Sequence, residues 1–201
     1  MSTNNKGFFK ENFPLVVILL IPIAIAINVV GGTMTSALKL PIALDMIGVI
    51  LVGALAGPIP AAITGALTNL VNGIFDPSWI PYAITAFFIG IAAGLLSKFN
   101  MMNKVWKIVI SGVIIAVVAI VFSVPIKVFV FGGADGGGSS MLAAGLMATG
   151  RSILQSVLSV SLVVETIGKL LSIFIAYLIA RAIPERTLVK YKYGKNFIKE
   201  K

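Results

Sequence analysis

Long apolar runs alternate along the chain with short clusters of Gly, Pro and charged residues. The runs approach the length of about 20 residues that a helix needs to cross a hydrocarbon core of about 30 Å. The breakers divide the sequence into six predicted spans. The first covers about residues 14–30 and ends at Gly31-Gly32, the second about 40–56 and is closed by GPIP (57–60), and the third 61–75, stopping at DPSW (76–79). A fourth, 80–96, leads into SKFNMMNKVWK (97–107), a fifth, 108–131, into GGADGGGSS (132–140), and the sixth covers 160–183. Gly and Pro stand at the junctions, as chain punctuation requires. Pro22 and Pro125 fall inside spans and are expected to kink them, which membrane helices tolerate. The pattern predicts an all-α polytopic membrane protein, one integral domain over 1–201 with a basic tail at 184–201.

Two segments need a separate decision. The N-terminus joins a basic start to an apolar core, as a signal peptide does, but its apolar run is longer than such a core, so it reads as a retained first span. Segment 142–158 holds Arg151, Ser152, Gln155 and Ser156, too polar for a lipid-facing helix. It is predicted to be a short helix across the outer face, within the loop between spans five and six. The competing reading is a seventh span.

Composition agrees with a membrane protein: 58% of the 201 residues are hydrophobic and 11% charged, and mean hydropathy is +1.05. The chain has no Cys and no His, which removes disulfides, thiolate chemistry and imidazole-based metal or acid–base sites. A net charge of +9 raises the question of nucleic acid, but the distribution answers it differently. With both termini in the cytoplasm, Lys6, Lys10, Lys98, Lys104, Lys107, Arg181, Arg186, Lys190, Lys192, Lys195, Lys199 and Lys201 all fall on the inner side. These are 12 of the 16 basic residues, as the positive-inside rule expects. The basic tail therefore reads as topological, with contact to anionic lipid and no nucleic-acid role. The Gly-rich stretch 132–138 lacks the Lys-Ser/Thr ending of a phosphate loop and reads as a flexible connection.

This topology gathers the remaining charges on one side. Lys39, Asp45, Asp76, Lys127, Asp135, Arg151, Glu165 and Lys169 all fall in or above the outer halves of the spans, while the inner halves are almost purely apolar. A polar cavity above a greasy floor is the implied arrangement, since a channel or proton relay would place polar groups along the full depth. Glu165 and Lys169 are i and i+4 with the acid first, which suits an intrahelical pair as well as a ligand site. Asp45 has no basic residue within a helical turn, so its partner comes from another helix or from a ligand. Asn69 and Asn72 share one helix face and serve either as ligand contacts or as interhelical glue. Trp79 and Tyr82 occupy an interfacial position and are candidates for stacking on a ligand. Lys127, Arg151 and Gln155 complete the candidate site, Arg151 as an anion clamp or a headgroup anchor. Stripes of small residues at Ala61, Gly65, Asn69 and Gly73 and at Ala86, Gly90 and Gly94 mark close helix packing, within this chain or against a partner.

The run GGTMTSALKLPIALDMIGVILVGALAGPIPAAITGALTNLVNGI (31–74) resembles the substrate-binding S components of energy-coupling factor vitamin transporters. The shared features are the Gly-rich outer loop, the LKLP lead into span two, an Asp one turn later, the GALAGP turn and GALTN. LVVETIGKLLSIFIAYLIARAIP (162–184) resembles their last span. The resemblance implies a bacterial plasma-membrane protein with cytoplasmic termini that binds a vitamin or precursor from outside. It also implies docking on a membrane coupling subunit driven by two ATPase subunits, and toppling in the bilayer to release the ligand. Nothing in the chain resembles a nucleotide-binding loop, a nucleophile elbow or a metal motif, so ATP hydrolysis is assigned to the partners and neither enzyme activity nor a cofactor to this chain. One departure stands out: the AxxxA docking signature of span one is replaced by Ala24 with Asn28 and Ala26 with Val30. Four basic and four acidic outer residues leave the region formally neutral. That permits a pantothenate-like acid on Lys or Arg, or a pyrimidine or pyridine precursor on Asp45, an Asn and an aromatic. Overall similarity favours pantothenate, with hydroxymethylpyrimidine next and then pyridoxine. A self-contained secondary carrier and a membrane scaffold are the competing classes.

Overall fold

The computed structural model describes residues 11–198, so Lys6, Lys10, Lys199 and Lys201 of the orientation argument lie outside the described residues. Regular structure among the described residues is entirely helical. Four helical stretches are long and apolar enough to cross a membrane: Leu15–Ala37, Pro77–Lys98, Val105–Val130 and Ile153–Ala182. Their outward side chains, among them Leu19, Ile84, Val117 and Phe174, are exposed and apolar, a surface suited to lipid.

Helix α1 (Leu15–Ala37) corrects the first predicted boundary, because it continues through Gly31-Gly32. A Cβ on Gly31 would strike the Leu44 carbonyl, and one on Gly32 would press on Trp79 and Asp45. The two glycines thus admit neighbouring chain against the helix instead of ending it. That neighbour is the segment 38–46, predicted as the first half of span two but irregular in the structure. Pro41, which has no N–H to donate, lies within it. Helix α2 (Ile47–Ala56) has only ten residues, all buried. At about 15 Å it is half a bilayer long. Apolar on every side, it runs down the centre of the bundle against α1, α3 (Pro58–Phe75), α4 (Ala83–Lys98) and α7 (Ile153–Ala182).

The abrupt start of α2 is capped from a neighbour. Gly48 carries one of the unpaired first-turn N–H groups, and it donates to Asn28 Oδ1 of α1 at 2.7 Å. Asn28 Nδ2 donates in turn to Thr68 Oγ1 of α3 at 3.0 Å, so one buried amide joins three helices. The Ala24/Asn28 face of α1 therefore faces inward, whereas Ala26 and Val30 are exposed. At the other end of α2 the chain reverses at Gly57 (φ +98°), and Pro58 opens α3 at a position where no N–H is needed. The small-residue stripes meet each other: a Cβ on Gly65 would collide with Ala86, one on Gly90 with Ala61, and one on Gly94 with Gly57 and Pro58. They are internal packing faces.

The fourth predicted span, 80–96, is a 3₁₀ segment (Pro77–Tyr82) followed by α4. The fifth, 108–131, is α5 (Val105–Pro125) closed by a π turn, Ile126–Val130. The outer helix predicted at 142–158 is shorter and earlier, α6 at Gly138–Ala148. Gly150 (φ +89°) breaks the chain there, and Ser152 caps α7 by accepting from Gln155 N at 3.3 Å. Residues 153–158 are thus the first turns of the last helix, which begins seven residues before the expected 160 and runs for 30 residues. Residues 185–198 also differ from a free basic tail. Helix α8 (Glu185–Leu188) and a 3₁₀ turn (Gly194–Phe197) fold under the bundle, burying Leu188, Tyr191 and Phe197 in the main core. Tyr193 N donates to Leu55 O at 3.0 Å and Asn196 Nδ2 to Ser97 O at 3.2 Å, while Lys190, Lys192 and Lys195 stay exposed.

Candidate functional site

At the end of the bundle away from that plug lies a cavity of about 350 Å³, within the size range of small-molecule sites. Its floor lies where α2 begins. The walls come from α1, the 38–46 segment, α3, the 3₁₀ segment, α4, α5 and α7, and the Gly-rich loop closes over it. Each local irregularity has a consequence here. The unwound segment carries Asp45 to the floor, and the π turn turns Lys127 inward so that it is only 8% exposed. Non-helical backbone at membrane depth is tolerated where it lines a cavity, and π turns often mark functional sites.

Four buried charges alternate along one wall. Lys127 Nζ is 3.7 Å from Glu165 Oε1, Glu165 Oε2 is 3.2 Å from Lys169 Nζ, and Lys169 Nζ is 3.9 Å from Asp45 Oδ1. The intrahelical pair of the sequence is present, and each member also has a partner from another element. The set is formally neutral, which offsets a burial cost of several kcal/mol per isolated ion. At 3.9 Å the Lys169–Asp45 contact is Coulombic and too long for a hydrogen bond, so Asp45 Oδ1 is buried with no hydrogen-bond partner among the described residues.

The Gly-rich loop is tied down, contrary to the flexible connection expected. Tyr82 Oη donates to Asp135 Oδ2 at 2.7 Å, Ser140 Oγ donates to Asp135 Oδ1, and Gly137 N donates to the same oxygen at 3.1 Å. Lys39 Nζ reaches across to Gly136 O at 3.2 Å, and Lys127 Nζ lies 3.4 Å from Ser139 Oγ. Burial pushes the Asp135 carboxyl up. The bonds from Ser140 and Tyr82, the Lys127 charge and the Gly137 N–H together outweigh it and hold the carboxyl below the ordinary Asp range. The Tyr82 ring stacks on Phe131 with centroids 5.8 Å apart, completing the clasp.

Of the residues marked in the sequence, Asp45, Asn69, Trp79, Tyr82, Lys127, Glu165 and Lys169 line this cavity. Asn72 is buried beside it on α3 and outside the lining, and Arg151 and Gln155 are exposed at the start of α7, also outside it. Residues that the sequence did not single out as site members include Thr35, Thr85, Ser123 and Ser139. Hydroxyls are common in membrane helices, where they usually bond a carbonyl one turn back, so nothing in the sequence distinguishes these. In the structure Thr85 Oγ1 and Ser123 Oγ stand out because they are buried with no hydrogen-bond partner among the described residues, as does Asn69 Oδ1. Asn69 Nδ2 donates to Tyr82 O at 2.7 Å, which fixes the amide with its oxygen unsatisfied. No protein-family model, curated protein or solved structure matches the chain.

Proposed function

We propose that this chain binds a small polar solute, of vitamin or vitamin-precursor size, as the S component of an energy-coupling factor transporter. In this reading the bundle crosses a bacterial plasma membrane six times. The irregular 38–46 segment with α2 makes one pass, α3 another, and the four long helices the rest. The plug end faces the cytoplasm, where exposed Lys98, Lys104, Arg181, Arg186, Lys190, Lys192 and Lys195 satisfy the positive-inside rule, and the cavity opens outward. ATP hydrolysis belongs to two ATPase subunits joined through a membrane coupling subunit.

The observation that carries this reading is the cavity itself, a roofed chamber with a charged wall and unsatisfied polar atoms above a helix whose ten residues are all buried. A site roofed by a loop at one end and sealed by packed helices at the other suits capture of a solute that leaves only when the whole body moves. The outward Ala26/Val30 side of α1 is the half of the expected docking signature still free for a coupling subunit.

The test is mass spectrometry of small molecules released from the purified full chain, with titration against vitamins and precursors and affinity isolation from native membranes. A stoichiometric solute, submicromolar binding and co-isolation of a coupling subunit with paired ATPases are the expected results. Transport by the chain alone in liposomes would replace this reading with a secondary carrier. An empty protein that binds nothing in the panel would leave a scaffold.

A further inference from the structure

We infer that the ligand is a flat heterocycle presenting N–H or O–H donors, neutral or singly cationic, and not a free carboxylate. The inference rests on the binding reading above and narrows it against the acid that overall similarity favoured. Its basis is which polar atoms of the cavity remain unsatisfied.

Asp45 Oδ1 and Asn69 Oδ1 are acceptors that cannot donate in these states, and both are buried without a hydrogen-bond partner. Their residues are 8% and 0% exposed and both line the cavity. Thr85 Oγ1 and Ser123 Oγ, from two further helices lining the same space, are also unpaired. Buried polar atoms are rarely left unsatisfied, and each costs free energy until a partner arrives. A ligand that answers the two oxygens must bring donors, while the hydroxyls adapt to either role. Trp79 supplies an aromatic surface at the same cavity.

The cations are in the opposite condition. Lys127 and Lys169 lie against Glu165 and, for Lys169, Asp45 as well, while Lys39 sits exposed at the rim holding Gly136. With Arg151 outside the lining, three lysines (Lys39, Lys127, Lys169) face four carboxylates (Asp45, Asp76, Asp135, Glu165), a formal balance of 3 − 4 = −1. An incoming carboxylate would face the Asp45 oxygen, which accepts no hydrogen bond among the described residues, and would have to share Lys127 or Lys169 with Glu165.

The experiment is isothermal titration of the full chain in detergent with matched probes that differ only in the donor. The pairs are 4-aminopyrimidine with 4-methylpyrimidine and adenine with 6-methylpurine. Pantothenate and nicotinate serve as carboxylates, and mass spectrometry identifies any molecule that co-purifies. At least tenfold preference for the amino member of a pair, or co-purification of an amino-heterocycle, is expected. Asp45→Asn and Thr85→Val should each reduce that preference, Asp45→Asn more. Tighter binding of a carboxylate than of any amino probe, or co-purification of a free acid, overturns the inference and leaves the transport reading standing. An amino preference that survives in both variants overturns the assignment of these atoms. Binding of no probe, with nothing released, removes the transport reading and the inference together.

Discussion

At the closed end, Gly57, Gly90 and Gly94 bring helix backbones into contact, Ser97 Oγ donates to Ala54 O at 2.7 Å, and Phe197 and Leu188 fill the base. At the cavity end the same helices are held apart by alternating ions, a loop clasped on Asp135 and a segment that never becomes helical. The contrast separates two uses of a membrane interior. Close backbone packing gives stability without chemistry, whereas buried ions and unsatisfied acceptors cost stability and, on the proposed reading, serve recognition. Breaking one end should therefore change what the other does not.

The largest effect is expected from Lys169→Met, which strands Asp45, leaves Glu165 with Lys127 alone and should cost about 3–5 kcal/mol. Fluorescence-detected thermal unfolding in detergent should show a large fall in midpoint. Adding Asp45→Asn removes the stranded charge and should recover part of it. The same logic applies to Glu165→Ala: because Glu165 contacts two lysines, its loss should lower the midpoint as well as impair binding.

Gly94→Ala attacks the other end. Its Cβ would collide with the backbone of Gly57 and Pro58, which has nowhere to move, and overpacking of this kind costs about 1–3 kcal/mol. The midpoint should fall while affinity for any co-purified solute stays within twofold, about the error of a titration. A large affinity loss would mean the two ends are coupled more tightly than their construction suggests.

Asp135→Asn tests the clasp. Losing the charged acceptor for Tyr82 and Ser140 should raise amide exchange of Gly133 and Gly137 by about tenfold, equivalent to about 1.4 kcal/mol, measured by hydrogen exchange with mass spectrometry. The pH dependence has a definite sign. A carboxyl held below its ordinary value contributes fully above the ordinary Asp pKa of about 3.9 and loses that contribution only as pH falls through the depressed value. Loop protection, corrected for intrinsic exchange, should therefore stay flat from about pH 8 to about pH 5. The smallest effect is expected for Arg151→Ala and Gln155→Ala, exposed and outside the cavity, with stability shifts within about 0.5 kcal/mol and unchanged affinity.

Much of this division is legible in the sequence, for a thermodynamic reason. A charge inside an apolar run is expensive enough to announce itself, so Asp45, Lys127, Glu165 and Lys169 are recognisable, and Asp45 does find its partner on another helix. The path of the chain is less legible, because an apolar run looks the same whether it forms a helix or a buried irregular segment. LPIALDM (40–46) reads as a helix start, with Pro41 the one local signal against it. Gly31-Gly32 reads as a stop because the reason for those glycines, the approach of Leu44 and Trp79, is tertiary. The polarity of residues 151–156 suggests a surface helix, yet Gly150 is the break, with Arg151 and Ser152 just before α7 and Gln155 and Ser156 in its first turn. Thr85 and Ser123 become distinctive only through partners they lack.

The plug built from residues 185–198 also places this molecule in time. Ribosomes deliver the chain in sequence order, and every helix the plug seals, from α2 to α7, has been delivered before Leu188, Tyr193 and Phe197 emerge. Leu55 O and Ser97 O must wait for their donors until then. The nascent bundle passes through a stage with its helices inserted and its base unsealed, so a chain cut short after α7 would carry an intact chamber above an open base. Sealing of the base is thus a built-in record that synthesis went past the last helix.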